Sequence, residues 1–299
     1  MILVDFSAVS IAALLVNQSE INFKLEEGYL RHVVLNSIRA ITVKHRPVFG
    51  TEVVIATDAR GLYWRDEVFP QYKWKRRQKK KDSRFDWDLI NATFDKVKTE
   101  IKTFLPYKVV GFPRAEADDV IAVLAKHRAE KPVPIPGQQP GFDFGDYIQW
   151  EPTLIVSGDK DFIQLQVHSN IKQFKNTTKE FLVSDDPERD LKELIIRGDD
   201  GDSIPNIMCH DNVIVEKIRQ TAMRQPLFDK YLGMSKTELY ESTQFKRNEQ
   251  LIDFAYIPKD IQDGILGVYH EATPAPRKGI LQYLIDHRLS NLATNLSDF

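Results

Sequence analysis

Apolar residues fall into two regimes along this chain. Up to Val156, short apolar runs bounded by polar turns alternate with longer stretches of helical spacing. Ile2 to Val4, Val53 to Ala56, Tyr107 to Val110 and Leu154 to Val156 read as buried strands, too short for helices and closed by polar residues. Ile11 to Val16 and Glu26 to Thr42 read as helices, the second with Leu30, Val33, Val34, Ile38 and Ile41 on one face. Trp87 to Leu105 turns Leu89, Ile90, Phe94, Val97 and Ile101 inward and ends at Pro106, and Ala115 to Arg128 is a further helix. A helical start follows at Phe162. Beyond residue 185 the strand signal fades, and helical patterns take over at Leu191 to Ile196, Val213 to Met223, Lys236 to Leu251 and Ile280 to Arg288. This order predicts an α/β fold, a mainly parallel central sheet flanked by helices over residues 1–185, and a smaller all-helical part over residues 186–299. Lys131 to Pro152, with five prolines and three glycines, has no usable period and reads as a long surface excursion.

Composition narrows the class. A chain of 299 residues, 42% of them hydrophobic, can bury one large core or a core with a satellite, which excludes a disordered or fibrous protein. One cysteine, Cys209, excludes an internal disulfide framework and reads as a structural thiol in a reducing compartment. The start carries no basic leader and Ile11 to Val16 is too short to span a membrane, so the expectation is a cytoplasmic protein without a membrane partner.

Candidate chemistry lies in nine carboxylates in five clusters: Asp5, Asp58, the Glu116/Asp118/Asp119 trio, the Asp159/Asp161 pair and the Asp199/Asp202 pair. Asp5, Asp58, the trio and Asp159/Asp161 lie at or just beyond the end of an apolar run. In an open parallel sheet the carboxyl ends of the strands share one crevice, where residues far apart in sequence converge. Oxygen-only donors suit Mg²⁺ or Mn²⁺ rather than zinc, and so many acids could hold two ions. A single acid at a strand end or helix start is as readily a cap, so Asp5 or Asp58 alone would carry no argument. Asp185, Asp186, Asp190 and Asp200 read as surface acids.

Charge adds a second feature. From Tyr72 to Arg84 the chain has eight basic residues and one acid, so this segment carries +7 while the rest carries −9 within a formal −2. Such a run is either a solvated loop or a phosphate-binding surface, in which Tyr72 and Trp74 offer faces for unpaired bases. An acidic metal site beside it favours the second, because it would otherwise repel a polyanion. With no partners for its charges inside the protein, the segment is expected to be mobile until substrate orders it.

The order and spacing of Asp5, Asp58, Glu116-Ala117-Asp118-Asp119, Ser157-Gly158-Asp159-Lys160-Asp161 and Gly198-Asp199-Asp200-Gly201-Asp202, with Tyr72, Lys73 and Arg76 between them, resemble the structure-specific 5′-nuclease (flap endonuclease) family. Leu251 to Pro258 and Pro276 to Gly279 also resemble its phage ribonuclease H branch, and the resemblance runs nearly end to end. It implies Mg²⁺-dependent hydrolysis near a 5′ end or a junction: 5′→3′ exonuclease and ribonuclease H action that removes RNA primers and trims 5′ flaps in phage DNA replication. By resemblance, Asp5, Asp58, Asp118 and Asp159 hold one Mg²⁺. Asp161, Asp199 and Asp202 hold a second, and Glu116 and Asp119 are outer or shared members. Mn²⁺ is the expected substitute.

By the same resemblance residues 60–90 form an arch from which Lys73 and Arg76, with Arg65 a further candidate, reach the scissile phosphate. A cation there favours the transition state over the ground state. Tyr72, Lys73, Lys75, Arg76, Arg77, Lys79, Lys80 and Lys81 are the expected nucleic-acid contacts, with Tyr72 stacked on a terminal base or packed as a core residue. Residues 186–299 would grip duplex. RNA–DNA hybrid, 5′-flap and duplex DNA are the implied substrates of a monomer, and single-strand-binding protein and sliding clamp are candidate partners. The sequence departs from the family after Asp202, where Ser203 to Asn212 lacks the Gly-x-Gly turn of the family's cation-holding helix pair, so a monovalent-ion site is not expected. A small single-strand ribonuclease of the PIN type and a non-catalytic junction-binding scaffold are the alternatives; the last hundred or so residues speak against the first and the intact acidic set against the second.

Overall fold

The computed structural model describes residues 1–16, 26–81, 85–130, 132–134 and 148–299. Strand β1 (Ile2–Asp5) runs directly into α1 (Phe6–Val16), and α2 (Glu27–Phe49) returns the chain to β2 (Val53–Ala56). Two short helices, α3 (Trp64–Val68) and α4 (Trp74–Lys81), precede α5 (Trp87–Phe104), β3 (Lys108–Val110) and α6 (Ala117–Ala129). Strands β4 (Pro132–Pro134) and β5 (Ile148–Trp150) pair antiparallel with each other. After β6 (Thr153–Val156) come a 3₁₀ helix (Lys160–Val167), β7 (Ile171–Lys175) and β8 (Glu180–Leu182). The main sheet has the order β3-β2-β1-β6-β7-β8, all parallel except β8.

Register makes the carboxyl ends level. Leu3 lies opposite Val54 on one side and Ile155 on the other, and Asp5 lies opposite Ala56. From β1 the chain moves one way to β2 and β3, and β6 to β8 lie on the other side. The crevice beyond the carboxyl ends at this reversal is where parallel sheets place their sites. The three central strands are buried on both faces, which explains their unbroken apolar runs.

Helices α7 (Pro187–Arg197), α8 (Gln225–Gly233), α9 (Lys236–Leu239), α10 (Thr243–Ile252), α11 (Lys259–Glu271), α12 (Ile280–Asp286) and α13 (Ser290–Ala293) complete the chain. They pack in three places. Ile280, Tyr283, Leu284 and Phe299 join the core that α2 and α5 form on one sheet face, and Ile261, Ile265 and Tyr269 join α6 on the other. A third cluster unites Ile195, Ile196, Phe228, Phe245, Leu251 and Ile252 with Phe69 and Tyr72 from the base of the basic segment.

Several expected elements differ. The Val213 to Met223 pattern is not helical: Cys209, Val213 and Ile214 pack on Trp74, and turns shape the backbone. Asn206 ties the segment's far end, its side-chain amide donating to Thr221 O and its backbone N–H donating to Gln220 Oε1. The expected helix Lys236 to Leu251 breaks where Ser242 caps α10 by accepting from Phe245 N. Strands β7 and β8 follow the start at Phe162, which is 3₁₀; in β7 the buried Gln173 interrupts the apolar signal. The proline-rich excursion is a paired ladder at its two ends, and its centre, residues 135–147, lies outside the described residues. Helix α2 runs on past Thr42 to Phe49, since His45 packs edge-on against Phe174.

Gly198 ends α7 at φ 69°, and a Cβ there would lie 2.4 Å from Ile204 O. Gly198→Ala is therefore expected to lose about 1–2 kcal/mol to backbone strain plus the cost of that overlap, and an unchanged urea midpoint would refute this.

Candidate active site

Four carboxylates line one cavity of about 420 Å³ at the carboxyl edge of the sheet: Asp5, Asp58, Asp118 and Asp159, with Lys73, Arg76 and Lys175 in its walls. Three are placed at strand ends and the fourth at a helix start. Asp5 ends β1, and its oxygens accept from Ala8 N at 2.9 Å, as a cap of α1, and from Ser157 Oγ at 3.1 Å. Asp58, just beyond β2, accepts from Ser7 Oγ at 2.6 Å and from Ala117 N at 3.0 Å. Asp159 follows β6 and caps the 3₁₀ helix by accepting from Asp161 N. Asp118 stands in the first turn of α6 and has no hydrogen-bond donor among the described residues.

Burial, and then the Asp58 and Asp159 charges, push the Asp5 carboxyl up to about 6, against hydrogen bonds from Ala8 and Ser157. Burial, then the charges of Asp159 and Asp5, push Asp118 well above the carboxylate range, and burial with Asp159, Asp199 and Asp202 does the same to Asp161. This is negative charge without sufficient internal compensation. The donors are all oxygen, so the residues fit hard divalent cations in chemistry. No three His, Cys, Asp or Glu side chains of the described residues already stand as a closed ligand set.

The other expected ligands are differently engaged. Asp119 is fully buried; its oxygens accept from Arg65, from Trp64 Nε1 at 3.1 Å and from Glu116 N at 2.9 Å, closing a capping box. It braces the start of α6 and offers no free oxygen to an ion. Glu116 accepts from Arg65, Tyr72 and Lys73, and although burial would raise it, Lys73 and Arg65 hold it below the ordinary range. Asp202 accepts from Tyr72, with Arg76 Nη2 2.5 Å from Oδ1 outside hydrogen-bond alignment. Asp199 pairs with Lys160 at 3.3 Å and accepts from Gly201 N.

Three expectations for the basic segment are corrected. Arg65 does not face the cavity: it is 3% exposed, bound to Glu116 and Asp119, and its Nε donates to Leu251 O at 2.8 Å. Tyr72 is also buried, with its hydroxyl on Glu116 and Asp202, so its ring has no face for a base. The premise that the segment lacks internal partners fails as well. Residues 74–81 form α4, and Lys73, Lys75, Arg76 and Arg77 pair with Glu116, Asp200, Asp202 and Asp66. Lys73 takes a left-handed backbone, φ 54°, with its amide donating to Asp202 O at 2.7 Å, and Lys75 N donates to Ser203 Oγ. Lys79 and Lys80 are exposed, Lys80 over the Trp87 ring; the side chain of Lys81 and residues 82–84 lie outside the described residues.

Ser7, Trp64 and Gln173 support the site without a sequence signal of their own; Gln173 donates to Ser157 O and Asp159 O. Ser157 and Lys160 do carry one, since both lie in the Ser-Gly-Asp-Lys-Asp turn.

Solved structures share this architecture. The bacteriophage T5 D15 protein co-crystallised with metal ions superposes at a TM-score of 0.58 with 16% identity, over 91% of this chain and 98% of that one. A T5 D15 flap endonuclease pseudo-enzyme–product complex with DNA and metal ions gives 0.59 at the same identity. The fold is that of a 5′-nuclease, a mostly parallel sheet with a helical C-terminal part.

Sequence comparison is more specific. A model of the 5′-3′ exonuclease N-terminal resolvase-like domain matches residues 2–190, and a model of the T4 RNase H C-terminal domain matches residues 185–299. Ribonuclease H of Enterobacteria phage T4 is 30% identical over 99% of this chain and 95% of its own length. Flap endonuclease Xni of Shewanella sp. (strain MR-4) is 29% identical over 54% of each chain. The chain belongs to the 5′-3′ exonuclease family, with a C-terminal part of the T4 RNase H kind, and is a nuclease.

Two outcomes follow. The raised carboxyl of Asp118 opposes folding once pH exceeds its unfolded value, near 4, and the penalty grows as pH climbs towards the folded value. In EDTA, Asp118→Asn should therefore have a higher urea midpoint than wild type at pH 7.5 and a matching one near pH 4; a constant gap would contradict this. Arg65→Met leaves Asp119 buried without its cation and Glu116 with Lys73 alone, and should lose about 3–5 kcal/mol in the same assay.

Proposed function

We propose that this protein is a Mg²⁺-dependent 5′→3′ exonuclease with ribonuclease H and flap-endonuclease action, removing RNA primers from RNA–DNA hybrids and trimming 5′ flaps during phage DNA replication in the host cytoplasm. The observation that carries this is the cavity itself: Asp5, Asp58 and Asp159 from three strand ends and Asp118 from the start of α6, two of the four driven upward by burial and mutual repulsion, under a cationic helix. The names of the T4 ribonuclease H and the flap endonucleases among its relatives supply the substrate classes. Among the described residues no helix is long and apolar enough to cross a membrane.

In this reading Asp5, Asp58, Asp118 and Asp159 hold one Mg²⁺ and Asp161, Asp199 and Asp202 a second, with Mn²⁺ as substitute. Bound there, the ions supply a water of lowered pKa and offset the charge that builds on the phosphate. The protein's own groups do the rest. Ser7, Ser157 and the Ala8 and Ala117 amides fix the carboxylate rotamers. Arg65 and Asp119 brace Glu116, and Glu116 in turn holds Lys73 beside the cavity. Lys73 and Arg76 are the groups that would exchange their carboxylates for the scissile phosphate, and such a cation stabilises the charge-rich transition state most. Lys75, Arg77, Lys79, Lys80 and Lys81 would hold the approaching strand. Residues 1–185 act as the nuclease core and 186–299 as the duplex-holding part.

The test is a gel assay of a 5′-labelled RNA–DNA hybrid and a 5′-flap DNA, with Mg²⁺ or EDTA, beside Asp118→Asn. Short products that require Mg²⁺ and fall at least about a hundredfold in the variant, a loss of about 2.7 kcal/mol in transition-state stabilisation, are expected. Tight binding without cleavage by wild type would replace this reading with a binding scaffold.

A further inference from the structure

Four cations of the basic segment, Lys73, Lys75, Arg76 and Arg77, are occupied within the protein, on Glu116, Asp200, Asp202 and Asp66. Another part of the cavity lining is different. It is built from the β7–β8 turn, where Lys175, Asn176 and Thr177 line the same space as the four carboxylates. Lys175 has no ion-pair partner among the described residues, although Glu180 stands opposite it in the strand register. Its aliphatic stem crosses Gly158, where a Cβ would lie 3.1 Å from Lys175 Cγ. The small residue before Asp159 thus lets a lysine lie flat over the turn that carries the acid.

Two further lysines stand beside this turn, outside the cavity lining itself. Lys179, in the turn at φ 61°, donates from its ammonium to Asn176 Oδ1 at 2.6 Å. Lys44, on α2, holds its ammonium 4.6 Å from the centre of the Phe174 ring. Neither has a carboxylate partner among the described residues. Burial, and then the Lys44 charge, pull Lys179 below the usual lysine range, so the two repel each other in the free protein. Like charges gathered without a counter-ion raise the free energy of the free state, and a polyanion lowers it.

We propose that Lys175, Lys179 and Lys44, with Asn176 and Thr177, form a second phosphate-binding surface that holds the nucleic-acid backbone at the β7–β8 turn beside the cavity. This rests on the nuclease reading and adds a site to it. The substrate strand then meets basic groups at this turn as well as at α4, with its phosphate over the carboxylates. Ammonium groups are point charges that read no base, so the surface is indifferent to sequence and sensitive to salt.

The experiment is fluorescence anisotropy with a 5′-flap DNA and an RNA–DNA hybrid across a salt series, in an Asp118→Asn background so that cleavage does not intrude. Lys175→Ala/Lys179→Ala should weaken binding about tenfold or more and reduce the slope of log K against log salt by about one for each lysine removed. Lys44→Ala should do so by about one. Restored to the wild-type background, the double variant should show a raised KM. Lys102→Ala, which removes an exposed charge near the end of α5, is the control for net charge and should match the parent. Unchanged affinity, slope and KM in the lysine variants, beside a wild type that cleaves, overturn this surface alone. A wild type that neither binds nor cleaves overturns the nuclease reading, and the surface with it.

Discussion

Buried negative charge, gathered at one edge of a parallel sheet, is the constraint on which the rest of this molecule depends. The strands end level, so acids placed after β1, β2 and β6 and at the start of α6 share a cavity whether or not anything compensates them. Internal compensation is strongest at Glu116, which Lys73 and Arg65 hold below the ordinary carboxylate range despite burial. Arg65, enclosed by the protein, binds Glu116 and Asp119 together, and Trp64 and the Glu116 amide satisfy the second oxygen of Asp119. A buried triad of this kind adds little net stability, but removing one member would strand the others. Its effect is positional: the first turn of α6, and Asp118 with it, stands at a defined angle to the sheet.

The same guanidinium reaches further. Through its bond to Leu251 O, Arg65 joins the acidic cluster to the end of α10, and Gln164, donating to Asp161 O and Ile252 O, makes a second tie nearby. The C-terminal helices are thus fastened to the acids as well as to both faces of the sheet. Ser203 and Asp202 clasp the base of α4 from the other side. A displacement of α10 or α4 is therefore a displacement of Glu116, Asp202 or both.

Much of the site was legible before the structure. The position of an acid after an apolar run implied its place at a strand's carboxyl end, which is why Asp5, Asp58 and Asp159 come together as expected, joined by Asp118 from the start of α6. What could not be read was the partner of each charge. Asp119 and Asp118 are neighbours with the same chemistry, yet a helical turn directs one to Arg65 and the other to the cavity. Tyr72 had the composition of a stacking residue and became a core residue because Glu116 and Asp202 both reach its hydroxyl. The basic run lacked partners only in its own neighbourhood: they were supplied from Asp66, Glu116, Asp200 and Asp202, the last 129 residues beyond Lys73. Strand β7 escaped for a related reason, since its buried Gln173 serves the Ser157 and Asp159 carbonyls and breaks the apolar pattern.

The sequence by itself determined the alternation of strand and helix, the level row of carboxylates and the cationic segment, because these follow from local periodicity and from the geometry common to parallel sheets. Only the tertiary structure decided which charges are consumed inside the protein and which face the cavity. A carboxylate is a cap, an anchor or a candidate ligand according to the donors that folding brings within about 3 Å, and those donors, from Arg65 to Ser157, come from elements that sequence periodicity orders but does not place.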